Sequence, residues 1–127
     1  MSNPRVLVAD DDAMARLGYR ALLETAGYPV LVAEDGEEAT RLIEKGGVDI
    51  LMLDILMPRK EGLETLLEVK RRFPDVPVVA MSAGGMRGGF DFLALAARLG
   101  ADRTLAKPFR PQELIALLRE LLDARRP

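Results

Sequence analysis

Short apolar runs alternate with longer amphipathic stretches along the whole chain, five times over. Val6-Leu7-Val8-Ala9, Val30-Leu31-Val32-Ala33 and Ile50-Leu51-Met52-Leu53 are apolar throughout, and the first and third run straight into aspartates. Uniform runs of this length fit strands buried on both faces; a sheet with one wet face would alternate. A fourth strand is read over 76–81, with Pro77 at its entrance, and a short fifth over 104–106. Between them the period changes. Met14, Leu17, Ala21 and Leu22 recur at helical spacing over 13–26, with Gly27 as the stop. Asp35, three residues before Glu38, reads as a capping box for a helix through Ala39, Leu42 and Ile43 to Gly46. The spacing predicts a third helix over 62–73, with Leu63, Leu66, Leu67 and Val69 inward, and a fourth over 90–99 ended by Gly100. Pro111 opens a fifth through Leu114, Leu117, Leu118 and Leu121. Buried strands separated by helices imply a parallel sheet covered on both faces, and right-handed crossovers make it a doubly wound α/β fold.

Composition narrows the function. The 127 residues are 49% hydrophobic and 30% charged, with a net charge of -2, so a single globular domain over 1–127 is expected and a nucleic-acid footprint is not. Cysteine is absent, which removes disulfides, thiolate nucleophiles and thiolate metal sites. Histidine is absent too, so any phosphohistidine or imidazole base must belong to a partner. The apolar run after Arg5 is far short of a signal sequence, and nothing approaches the ~20 apolar residues of a membrane span. A cytoplasmic location is expected, with no attached effector domain.

In an open parallel sheet the site lies at the carboxyl ends of the strands. That edge carries Asp10, Asp11 and Asp12 after the first strand, Asp54 after the third, Ser82 at the end of the fourth and Lys107 just past the fifth. Each has an ordinary structural explanation, Asp12 above all, which suits the N-cap of the first helix. Together they suggest chemistry. Converging carboxylates from Asp10, Asp11 and Asp54 call for a cation, and an all-oxygen set favours magnesium or manganese over zinc. With the Lys107 ammonium and the Ser82 hydroxyl, the set suits phosphoryl transfer to a carboxylate.

These residues resemble the receiver domain of two-component response regulators, of the single-domain, chemotaxis type. The resemblance rests on Val6-Leu7-Val8-Ala9-Asp10-Asp11-Asp12, Leu53-Asp54-Ile55-Leu56-Met57-Pro58 with Gly62, Ala80-Met81-Ser82-Ala83, Gly100-Ala101-Asp102 and Lys107-Pro108-Phe109. It implies a flavodoxin-like sheet of order 2-1-3-4-5 with five helices. It further implies that Asp54 is the phosphoacceptor. Asp11 would hold Mg2+ directly and Asp10 partly through water, with Asp54 and the Leu56 backbone carbonyl as further ligands. Ser82 and Lys107 would bind phosphoryl oxygens, and the Lys107–Pro108 bond would be cis. The implied donor is a histidine kinase or histidine phosphotransfer protein, and the protein assists its own phosphorylation without being an enzyme acting on a separate substrate. Three positions depart from the family: Thr104 stands where an aromatic switch residue is usual, Arg59 replaces a frequent glycine, and the stretch 84–89 is longer than usual.

Rival readings fit less well. A flavodoxin-type cofactor binder would need Ser, Thr and Gly after the first strand, where three aspartates would repel phosphate. An aspartyl-phosphate hydrolase would use Asp10-x-Asp12 and leave Asp54 and Lys107 unexplained. A phosphorylation-independent adaptor on the same fold is the alternative that Thr104 favours. For output, Leu93, Ala96, Ala97 and Gly100 are expected to face the sheet. That leaves Phe92, Leu95 and Leu99 as an exposed stripe for a downstream protein or a homodimer, moving together with the 84–89 loop.

Overall fold

The computed structural model describes residues 3–56, 61–83 and 91–124. Its elements run β1 (Val6–Ala9), α1 (Ala13–Thr25), β2 (Val30–Ala33), α2 (Gly36–Glu44), β3 (Ile50–Asp54), α3 (Glu61–Arg72), β4 (Val78–Ala83), α4 (Phe92–Arg98), β5 (Arg103–Lys107) and α5 (Pro111–Ala124). The strands form one parallel sheet of order β2-β1-β3-β4-β5. Side chains alternate across it as the pleat requires. Leu7, Leu51, Leu53, Val78 and Ala80 join the core under α2, α3 and α4. Val6, Val8, Ile50, Met52, Val79, Met81 and Leu105 join a second core with Leu23 of α1 and Leu114 and Leu118 of α5. The inner strands β1, β3 and β4 are thus buried on both faces, as their composition requires, while the edge strands β2 and β5 are covered in part.

Local hydrogen bonding explains the helix starts. Asp12 caps α1, its side chain accepting from Met14 N at 3.0 Å. Asp35 caps α2 through Glu38 N at 2.8 Å, and the Glu38 carboxylate returns to Glu34 N at 2.8 Å, one residue before the cap itself. Asp91 caps α4 through Ala94 N, which starts that helix at Phe92 instead of residue 90. Phe90 itself lies outside the described residues.

The structure corrects several orientations. Met14 and Leu17 are 73% and 62% exposed, and Ala21 is exposed as well. The helix carries a second apolar stripe, Tyr19, Leu22 and Leu23, and that larger stripe takes the sheet. On α3, Leu67 is 49% exposed while Leu63, Leu66 and Val69 are buried. β4 spans Val78–Ala83 instead of 76–81, because Val76 N still donates to Phe73 O in the turn that ends α3. β5 extends to Lys107, which is therefore the last residue of the strand. On α4, Ala97 is exposed, whereas Phe92, Leu93, Leu95 and Leu99 are half-buried against the core. Phe92, Leu95 and Leu99 do not form a free exposed stripe.

Candidate functional site

The carboxyl edge of the sheet brings four charged side chains to one place. Asp10 follows β1, held by its main-chain N–H on Ala33 O and by Arg16, whose guanidinium donates to Asp10 O at 2.8 Å. Its buried carboxylate accepts from Asp12 N at 2.9 Å through Oδ1, leaving Oδ2 for Lys107 Nζ at 3.2 Å. Asp54 closes β3, pinned by Ile55 N on Met81 O at 3.0 Å. Its Oδ1 accepts from Leu56 N at 2.9 Å, and its Oδ2 accepts from Lys107 Nζ at 3.1 Å. Asp11 is exposed at the mouth, and Asp10, Asp11 and Asp54 each offer a carboxylate oxygen within 4.8 Å of the others. Burial works against the Lys107 charge, but the field of Asp54 and Asp10 outweighs it and holds the ammonium well above the ordinary lysine range. That ammonium remains charged at any physiological pH.

A buried aspartate at the end of β3, an ammonium from the end of β5 bonded to it, and two further acids after β1 on an order 2-1-3-4-5 sheet specify a fold and a site together. The response regulator receiver domain family matches residues 6–119. The chain belongs to that family. It is 41% identical over 118 residues to the transcriptional regulatory protein CpxR of Klebsiella pneumoniae, covering 93% of this chain and 49% of that protein. It is 37% identical over 123 residues to the response regulator MprA of Mycobacterium avium, covering 97% of this chain and 53% of that one. The chain therefore spans about half the length of these curated relatives. Among solved structures, a CheY-like receiver domain protein from Methanospirillum hungatei superposes with TM-score 0.86 at 27% identity, over 98% of this chain and 97% of that one. The receiver domain of the Francisella response regulator 1452 gives 0.86 at 31% identity, over 98% and 100%. A two-component phosphoacceptor role follows for the domain.

The receiver edge also holds the remaining expected residues, unequally. Ser82 is buried on β4, and its Oγ donates to Ala83 O at 3.2 Å. Leu56 meets the site through its N–H, which donates to Asp54 Oδ1 at 2.9 Å. Thr104 is the second residue of β5, opposite Ala80 and half-buried. The Lys107–Pro108 bond is cis. Met57, Pro58, Arg59 and the stretch 84–89 lie outside the described residues. Gly62 explains itself: a Cβ there would sit 2.4 Å from Ile55 Cα and 2.6 Å from Asp54 O, so glycine lets α3 press directly on the β3 exit. Asp102, in the motif before β5, fastens β4 by accepting from Val78 N at 2.7 Å and Lys70 Nζ at 2.9 Å.

Two neighbours of the site come from α1 and were not singled out by the sequence. Arg16 holds the Asp10 carbonyl, and Tyr19 lies beside Lys107, its ring centroid 5.7 Å from Nζ. The periodic apolar face read over 13–26, Met14, Leu17, Ala21 and Leu22, leaves both positions out. Among the described residues no helix is long and apolar enough to cross a membrane.

Proposed function

We propose that Asp54 takes a phosphoryl group from a phosphohistidine on a histidine kinase or phosphotransfer protein, with Mg2+ or Mn2+ held by Asp10, Asp11 and Asp54. The observation that carries this reading is the sharing of one ammonium by two buried carboxylates, Lys107 with Asp10 and Asp54, beside a third at the mouth. The three acids fit a hard divalent cation, since all donors are oxygen and they lie within 4.8 Å of one another. Such a cation supplies charge neutralisation at the transferring phosphoryl oxygens.

The chain's own groups do the rest. Leu56 N holds Asp54 Oδ1, which orients the carboxylate and leaves Oδ2 for attack on phosphorus. The Oδ2–phosphorus bond forms as the phosphorus–nitrogen bond of the donor breaks, and the electron pair leaves with the donor's imidazole. Lys107 then exchanges one carboxylate for a phosphoryl oxygen. Ser82 supplies a hydroxyl from β4 by rotating away from Ala83 O.

Acetyl phosphate with magnesium tests this. Intact mass spectrometry is expected to show one phosphate on the wild type and none on Asp54→Asn or in the presence of chelator. An adduct of equal stoichiometry in Asp54→Asn would overturn the assignment.

A further inference from the structure

The Lys107 ammonium has two carboxylate partners and one aromatic neighbour. Nζ is 3.1 Å from Asp54, 3.2 Å from Asp10 and 5.7 Å from the centroid of Tyr19. Tyr19 is fixed from behind. Its ring stacks on Phe109 at 5.8 Å with 9° between the planes, and it packs into the α1–α5 core that buries Leu23 and Leu114. The same residues, with Ala15, Gly18 and Pro108, line a groove of about 420 Å³ between α1 and the end of β5.

Lysine is a compact, strongly hydrated charge on a flexible stem, and nothing intrinsic fixes its position to a fraction of an ångström. In the resting site the carboxylates do that. Asp54 ceases to do so once it is bonded to phosphorus, since its charge is then redistributed over the phosphoryl group, and Asp10 is left as the one fixed carboxylate partner. A braced ring keeps water from one side of the ammonium and offers the negative face of its quadrupole. We infer that Tyr19 is a positioning residue for phosphoryl transfer, acting through Lys107 on Asp54. Burial raises the Tyr19 phenol by more than the nearby Lys107 charge lowers it. No ring is available from β5, where Thr104 stands. The inference rests on the phosphoacceptor reading above.

A double-mutant cycle decides it, read as the rate of the acetyl phosphate adduct by mass spectrometry. Tyr19→Leu keeps apolar volume and removes the ring; Tyr19→Phe keeps the ring. The expected result is a slowing of roughly two- to fivefold in Tyr19→Leu, the rate equivalent of an exposed cation–π contact, and the wild-type rate in Tyr19→Phe. In a Lys107→Met background, Tyr19→Leu is expected to have no further effect. Melting curves check folding, and Tyr19→Met enters the same cycle if the leucine variant melts early. A wild-type rate in Tyr19→Leu overturns the inference, as does an equal slowing of Lys107→Met by Tyr19→Leu, which marks a merely structural role. If the wild type itself takes no phosphate at Asp54, the phosphoacceptor reading has failed, and the inference falls with it.

Discussion

Gly62→Ala puts a methyl group where the site has no room for one. The new Cβ would lie 2.4 Å from Ile55 Cα, 2.6 Å from Asp54 O and 2.7 Å from Ile55 C, against the 3.4 Å at which ordinary contact begins. All three are backbone atoms of the segment leaving β3, so no side chain can rotate away. The N-terminal turn of α3 and the β3 exit must part by about 1 Å. Overpacking of a rigid site costs about 1–3 kcal/mol, and backbone contacts belong at the upper end. Alanine in a helix returns about 0.5–1 kcal/mol of that relative to glycine. The net loss is about 2 kcal/mol. An unfolding entropy of about 2.1 cal/mol/K per residue makes that about 7 °C in Tm for a chain of this length. The displaced backbone carries Asp54, so the acetyl phosphate adduct should also form more slowly than in the wild type. Thermal melts and adduct rates are measured on the same preparation. A variant that melts within 2 °C of the wild type and takes phosphate at the same rate would refute the steric argument.

Gly18→Ala, in the middle of α1 with nothing within 4 Å of the new Cβ, should raise Tm by about 2–4 °C on the helix gain of about 0.5–1 kcal/mol; a lower Tm would sink that claim. Magnesium should stabilise the wild type by about 2.7 kcal/mol at a hundredfold excess over its Kd, and Asp11→Ala should lose this response; differential scanning calorimetry reads both, and an unchanged wild-type Tm would rule out a working metal site. Lys107 has a folded-state pKa above its unfolded value, so its stabilisation is fully present below the ordinary lysine value and is lost as pH rises through the folded one. Lys107→Met should therefore melt below the wild type by a constant gap from pH 7 to about 10, narrowing only above it; a gap that narrows near neutrality would contradict the ion pairs seen with Asp10 and Asp54.

The sheet was legible because parallel strands buried on both faces need apolar residues at every position, and the runs at Val6, Val30 and Ile50 have them. Its edge was legible for the same reason: where such a run stops, the next polar residue is at the carboxyl edge, which is how Asp10 and Asp54 could be found. Helix facing was harder. α1 carries apolar residues on two sides, and period alone could not tell that Leu23 and Tyr19 would win the sheet over Met14 and Leu17. On α4 the apolar stripe reached further round the helix than expected, because the neighbouring core takes Phe92, Leu95 and Leu99 as partly buried partners. Tyr19 and Arg16 could not be assigned from sequence at all, since their importance depends on a contact with β1 and β5 that only the crossing of α1 over the sheet creates.

The charge distribution within the pocket gives Asp11 and Lys107 separate duties. Three carboxylates and one ammonium carry a formal excess of negative charge, yet Lys107 spends both of its ion pairs on the two buried acids. Those are the acids that solvent cannot screen, so the ammonium goes where an uncompensated charge would cost most. Asp11 is left at the mouth, where water reaches it and where, on the proposed reading, an incoming divalent cation would first meet a ligand. On the proposed reading, transfer then adds a further negative charge at Asp54, the acid already paired to Lys107 and held on its other oxygen by Leu56. The ammonium has only to shift within reach of its present partner, and Asp10 keeps its bond from Asp12 N throughout. Loss of Asp11 should thus register chiefly in metal dependence and loss of Lys107 chiefly in the fate of the phosphoryl group, two signatures that a site built from equivalent carboxylates would not separate.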